Sequence, residues 1–323
     1  MKRWEILNGT QLKLIMIVLM VCNHVYYMFE FTGAVPLWVD VIGYAVAPVF
    51  FYLVLEGFLH TRDRGAYYRR LWLVYAMMAV IQWAMNYHGF MVRADGFRPA
   101  NGIVANFLVI FVIWSGLEQL EQRHWAKGIA MCVAPILYGV AGRALIGLFP
   151  ALKEPLVLLH SAVYPNFRWI TDGGDSLIAI GVVLYLTRRN KKVQLLSASA
   201  TGLFCYTVGR FVIRKYLRGM DTTFADSVFD QGVILSLCLL LMFFYNGQRG
   251  RGYSRLFYWF YPLHVYVLYA VSGIVYEQLN PGSGQIEAVT IPALGVALTM
   301  AGVLFTVQLT GRKKAPLPEK TGQ

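Results

Sequence analysis

The chain has 323 residues, of which 57% are hydrophobic, 15% aromatic and only 14% charged, with a mean hydropathy of +0.51. A soluble domain needs a polar exterior, so this balance excludes one and marks an all-α, polytopic integral membrane protein set in a lipid bilayer. The formal net charge of +12 is not a nucleic-acid signal, because most Lys and Arg lie in short segments between apolar runs, where they set orientation.

The first run, Leu12 to Phe31, reads LKLIMIVLMVCNHVYYMFEF. It has the length of one membrane crossing, about 20 residues, yet it carries Lys13 and His24. Eleven positions separate them, which is about three helical turns and about 16 Å along the axis, so both project from one face. An ionisable group inside a span is costly. The pair reads either as one wall of a polar pocket or as a snorkelling lysine plus a histidine bonded within the bundle. The run is not a secretory signal, since no small-residue cleavage site follows it.

Further apolar runs of spanning length predict crossings over 38–59, 70–88, 102–118, 127–148, 172–187, 195–217, 229–246, 255–278 and 286–309, about ten in all. Segment 150–171 is broken by Pro150, Pro155 and Pro165 and reads as a loop on or dipping into the membrane. With both termini cytoplasmic, nineteen Lys and Arg fall in inside segments, seven outside and three within spans, as the positive-inside rule requires. Residues 1–311 form a single transmembrane domain on this reading, and residues 312–323 a disordered cytoplasmic tail.

Several residues on this frame could carry chemistry. Glu56 ends the second span at about the depth of Lys13, so the two could meet. Arg62, Arg64, Arg69 and Arg70 follow in EGFLHTRDRGAYYRRL. Arginine forks suit phosphate oxygens, and Arg69 and Arg70, which open the third helix, are the better candidates for an anionic donor; ordinary loop charge is the competing account. In the ninth span Pro262 interrupts the helix, Tyr261 shares a face with His264, and His264 could border the same mid-membrane cavity as His24. Two histidines without a third ligand imply no metal. Arg143 and Arg210, inside spans, are expected to pair with outer acids among Asp172, Asp175, Asp226 and Asp230, which also read as helix-start residues; an acceptor-binding site is the competing account. The four cysteines show no CxxC spacing, and there is no Walker sequence, GxGxxG or G-x-S-x-G, which argues against an ATP-driven pump and an α/β-hydrolase.

LKLIMIVLMVCNHV, PVFFYLVLEGFLHTRDRGAYYRRL and FYWFYPLHVYVLY, in this order, resemble the TraX family of membrane acetyltransferases, named for an enzyme that N-acetylates pilin. That family resembles in turn the wider transmembrane acyltransferase superfamily, with a basic residue, ten intervening residues and a His in the first helix; Lys13 and His24 fit this spacing. The family usually has Asp-His where this chain has Asn23-His24. The resemblance implies a ten-helix transmembrane acyltransferase domain in the bacterial cytoplasmic membrane, with acetyl-CoA entering from the cytoplasm as acyl donor. It implies His24 as catalytic base, and Lys13, Arg69 and Arg70 near the donor. Glu56, Tyr261 and His264 match family blocks, as catalytic or donor-binding residues. The expected acceptor is a peptide amino terminus, an amino sugar or the hydroxyl of an envelope glycan, and the sequence does not choose among them. The reading from another class is a proton-coupled transporter or flippase of an anionic solute, with His24 and His264 as a relay.

Overall fold

The computed structural model describes residues 5–100, 102–165, 174–228, 231–250 and 254–312. They form helices α1 (Gly9–Phe29), α2 (Trp38–Val41), α3 (Val46–His60), α4 (Arg64–His88), α5 (Ile103–Glu121), α6 (Trp125–Leu148), α7 (Lys153–Val163), α8 (Gly174–Leu186), α9 (Lys191–Phe204), α10 (Arg210–Val212), α11 (Phe224–Val228), α12 (Gln231–Cys238), α13 (Ser254–Leu279) and α14 (Ile291–Arg312). Among the described residues there is no strand, only an isolated bridge between Leu7 and Tyr245. The fold is all-α, and the described residues of the predicted crossings are mostly helical. Among the described residues six segments are long and apolar enough to cross a membrane: Gly9–Thr32, Trp38–His60, Ile103–Glu121, Trp125–Leu148, Lys191–Leu217 and Ile286–Gln308. Gly174–Leu186 and Gly232–Phe244 are shorter apolar helices. α4 is long enough but opens on Arg64, Arg69 and Arg70; α13 is interrupted by Pro262 and rich in Tyr. Arg312, the first residue of the predicted tail, still belongs to α14, and residues 313–323 lie outside the described residues.

The chain divides into two compact units. The first comprises Met1–Gly89 and Pro99–Tyr253. Its centre is the contact of α3, α5 and α8, where Val49, Phe51, Leu55, Phe58, Leu108, Ile110, Trp114, Leu177 and Leu184 are wholly enclosed. Phe58 meets Phe111 edge-on at 4.8 Å, a favoured aromatic geometry. The indole N–H of Trp114 donates to the Gly181 carbonyl at 2.8 Å; a Cβ at Gly181 would stand 2.7 Å from Ile110 Cγ1, so only glycine lets α8 come this close. α6 packs against α5 on the same principle, through Gly116 and Gly128. Arg64 fastens the α3–α4 corner: its Nε donates to the Phe58 carbonyl at 2.9 Å and its Nη1 to Glu118 of α5. This arginine is therefore structural, which removes it from the phosphate candidates.

Segment 150–163 departs from the predicted loop. After a turn at Pro150–Leu152 it forms α7, packed on α4 and α6. Pro155 was read as a breaker, but it falls in the first turn of α7, where the missing N–H has no helical partner to lose. α7 runs antiparallel to α4: Trp83 Nε1 donates to the Glu154 carbonyl, the Tyr75 hydroxyl to that of Ser161, and Trp72 Nε1 to that of Val163. At 11 residues it is about 16 Å long, half the thickness of a hydrocarbon core, so it is too short to cross one.

The second unit comprises Phe90–Arg98 and Ser254–Gln323. α13 packs on α14 and on a π-helical turn, Ile286–Thr290. Loop 90–98 is anchored on α13 by Arg93, whose side chain is only 3% exposed. Its guanidinium donates to both Asp95 oxygens and to Ser272 Oγ, and lies over the Phe97 ring at 4.4 Å. The Tyr269 hydroxyl donates to the Met91 carbonyl at 2.7 Å.

Candidate active site

α1 is one unbroken helix, started by a reciprocal cap in which Asn8 Oδ1 accepts from the Gln11 N–H at 3.0 Å and Gln11 Oε1 from the Asn8 N–H at 2.9 Å. Its most enclosed residues are Leu12, Met16, Met20 and Met28, its most exposed Leu14, Ile15 and Val18. With successive side chains about 100° apart, the enclosed residues define one side of the helix. Lys13 and His24 both fall within that arc, about 20° apart and on the same side of its middle, and both are half-buried. The spacing argument thus holds: the two ionisable groups face the protein and not the lipid.

Asn23, one position before His24, is tied to the next element. Its Nδ2 donates to Asp40 Oδ1 at 2.5 Å and to the Asp40 carbonyl at 3.3 Å. Asp40 also accepts from the Tyr44 hydroxyl and is only 9% exposed. Gly43 permits this approach, since a Cβ there would stand 2.3 Å from Asn23 Cβ. Asp40 and Tyr44 were not among the candidates from sequence.

Glu56 lies toward the C-terminal end of α3. Its carboxylate is 3.8 Å from His60 Nδ1, one turn on, and it feels the charge of Lys191. Lys191 in turn donates to Glu5 Oε1 at 3.2 Å and to the carbonyls of Phe243 and Tyr245, in the segment that wraps the start of α1. Glu56 and Lys13 thus belong to one end of this unit, as their depths implied.

A family model described as TraX protein matches residues 8–272. The chain belongs to the TraX family. Comparison with curated proteins and with solved structures found no match. The matched span of this TraX-family chain includes Lys13, His24, Glu56, Arg69, Arg70, Tyr261 and His264.

Arg69 and Arg70 are exposed, on the second turn of α4. α4 packs chiefly on α5 and α7, whereas α1 packs on α2, α3 and the turn Ile42–Ala45. Arg69 folds back over Gly65 beside the Asp63 cap. In the second unit, His264 is 8% exposed. Its Nδ1 lies 2.8 Å from the Phe260 carbonyl, which can only accept. Nδ1 therefore carries the proton, and Nε2 holds the lone pair for an acid or a ligand. The ring stacks on Phe260 at 4.8 Å, with Tyr261 at 5.9 Å.

The outer charges resolve only in part. Asp226 caps α11 by a reciprocal pair with Thr223 and is exposed; the Thr223 N–H and hydroxyl hold its carboxyl below the usual range. Arg210 lies over the Tyr206 ring at 5.3 Å. Asp172 and Asp230 lie outside the described residues. Among those described, Arg143 Nη1 is buried without a hydrogen-bond partner, so the expected ion pair at that nitrogen is not formed. No group of three or more His, Cys, Asp or Glu among the described residues is placed to hold a metal.

Proposed function

We propose that this chain is a membrane-embedded acetyltransferase that moves an acetyl group from cytoplasmic acetyl-CoA to an amine or hydroxyl acceptor, with His24 as general base. The observation that carries the reading is the placement of Lys13 and His24 on the enclosed side of α1 in a TraX-family chain. The neutral imidazole of His24 takes the proton of the acceptor N–H or O–H as that atom attacks the thioester carbonyl. The C–S bond then breaks and the CoA thiolate leaves. Lys13, about three turns away, serves the charged part of the donor as a point charge and moves no proton. Glu56, Arg69, Arg70 and Tyr261 are assigned supporting roles toward the donor, and His264 a second proton-transfer role through Nε2.

The test is acetyl transfer by the purified protein. His24→Ala should bind acetyl-CoA normally and lose about 10²–10⁴-fold in rate, the usual share of a general base. Wild-type activity should rise with pH as the imidazole loses its proton, and this limb should vanish from any residual His24→Ala activity. A variant that transfers at the wild-type rate would refute the mechanism. A protein that neither hydrolyses nor exchanges acetyl-CoA, yet moves an anionic solute across vesicles, would establish the transporter instead.

A further inference from the structure

Helix α5 ends in a turn whose backbone suits glycine, yet the chain places an arginine there. The Arg123 N–H donates to the Leu120 carbonyl at 3.0 Å, and the His124 N–H to that of Gln119 at 2.9 Å. These are the paired bonds of a left-handed helix stop. Arg123 carries φ +63, a conformation that strains an ordinary side chain and not glycine. The turn alone therefore gives no reason for this arginine.

Beside the turn, Gln119, His124, Trp125, Ala126 and Lys127 line an open depression of about 430 Å³. It lies at the start of Trp125–Leu148, a segment long and apolar enough to cross a membrane. His124 Nδ1 donates to Gln119 Oε1 at 3.2 Å and ties two of the lining side chains together. Trp125 is 62% exposed, and Ile129, Val133, Ile136 and Val140, also exposed, follow it at helical spacing on one side of α6. A track of apolar surface thus leads away from the depression along the span.

The acids of this corner are already engaged, Glu118 by Arg64 and Glu121 by Arg188. Among the described residues no carboxylate lies within ion-pair distance of Arg123 or Lys127, and both are exposed. Lys127 lines the depression, and Arg123 is next in the chain to His124, which lines it too.

We propose that the α5–α6 corner binds a phospholipid with an anionic headgroup. Lys127 and Arg123 face the phosphate, Trp125 the glycerol region, and the exposed side of α6 an acyl chain. Two uncompensated cations call for an anion. The apolar track calls for an anion that carries hydrocarbon, which a soluble nucleotide or free phosphate lacks. An indole at the end of a span suits the glycerol level of a bilayer, being apolar in body with a polar N–H. The positive-inside count assigns this corner to the cytoplasmic leaflet, whose lipids supply such headgroups. The site goes beyond acetyl transfer and holds whether or not the chain carries out that reaction.

The experiment counts lipid bound to the full chain in detergent by native mass spectrometry, in titrations with phosphatidylglycerol, phosphatidylcholine and glycerol 3-phosphate. Wild type should hold phosphatidylglycerol in preference to phosphatidylcholine. Lys127→Ala and Arg123→Gly should each weaken phosphatidylglycerol binding about fivefold, the worth of one cation near an anionic headgroup. Neither should change phosphatidylcholine binding, and Lys127→Arg should bind as wild type does. Glycine suits φ +63, so Arg123→Gly should not lower the melting temperature of the lipid-free chain. Lys192→Ala, which removes an exposed cation from the α8–α9 turn, should leave the affinity unchanged. Unaltered phosphatidylglycerol affinity in the Arg123→Gly/Lys127→Ala double variant would overturn the site. So would a wild type without headgroup preference, or an equal loss in Lys192→Ala, which would indicate a diffuse field. Glycerol 3-phosphate bound as tightly as phosphatidylglycerol would overturn the lipid, because the track along α6 would then contribute nothing.

Discussion

At Asn23 the amide of one helix holds the carboxylate of another. The sequence showed an asparagine where the family usually has an acid, which left His24 without an evident carboxylate. The structure sets a carboxylate beside Asn23 itself, that of Asp40, seventeen residues on, brought against α1 through the close approach of Gly43. The pair works as one donor and one acceptor, so its parts should be interchangeable. Asn23→Asp sets two carboxylates within hydrogen-bond reach and should lower the melting temperature sharply; Asp40→Asn removes the charge and should cost less. The Asn23→Asp/Asp40→Asn double variant should regain stability beyond the sum of the singles, by about 0.5–3 kcal/mol, the usual coupling of residues in contact. Purely additive melting losses would show that the two side chains do not act as a pair. Lys13 and His24 were legible because helical spacing alone fixes their common face. Asp40 was not, because its place depends on how the chain turns between α1 and α3. Gly43→Ala should be equally harmful to folding, since its Cβ would overlap Asn23.

Elements were legible where lipid dictates composition and opaque where a polar turn is swallowed by packing. The apolar runs located the long helices with ends several residues off, as at α4, which starts at Arg64, but α7 reads as a loop from sequence because its prolines are counted without their position in the first turn. Loop 90–98 is the stronger case. Arg93 was counted only as an outer charge, yet it is buried and bound to Asp95, Ser272 and two aromatic rings. The sequence RADGF signals an Asp-initiated turn, in which the Phe97 N–H donates to Asp95 Oδ1 at 3.0 Å, but nothing in it names α13 as the partner. Burial raises the Asp95 carboxyl, and the Arg93 guanidinium with the Phe97 N–H more than reverses this, leaving it below its usual range. A depressed acid contributes stability above its unfolded value of about 3.9, and that contribution is lost as pH falls through the lower folded value. Asp95→Asn should therefore cost about 1–2 kcal/mol near neutral pH, discounted because the carboxylate is partly exposed. The difference from wild type should shrink as pH drops below 4 in the same melting assay. A difference independent of pH would mean that the turn, and not the charge pair, supports the loop.

Over the whole molecule, the charge asymmetry makes a statement about orientation that the helices sharpen. Lys and Arg favour one set of connections strongly, and the rule that reads this as cytoplasmic applies to short loops near span ends. On that rule the α3–α4 corner, the α8–α9 turn and the 244–250 segment of the first unit are expected on the inside. The α6–α7 turn and the 218–223 connection face outward. Ser161, a natural outer probe from sequence alone, is a poor one: its carbonyl accepts from Tyr75 midway along α4, in keeping with an α7 that descends into the membrane. Lys153 at the exposed start of α7 is better. On the inside, Lys191 is committed to Glu5 and two carbonyls, whereas its neighbour Lys192 is exposed. The native cysteines at 22, 132, 205 and 238 are half-buried and can be replaced by serine to give a silent background. In intact cells a membrane-impermeant thiol reagent should label Lys153→Cys and Asp221→Cys and spare Lys192→Cys, which should react only after the membrane is opened. Labelling of Lys192→Cys from outside would invert the molecule. Lys13 would then face away from the cytoplasm, and the donor of the proposed function could not reach it from that side without first crossing the bilayer.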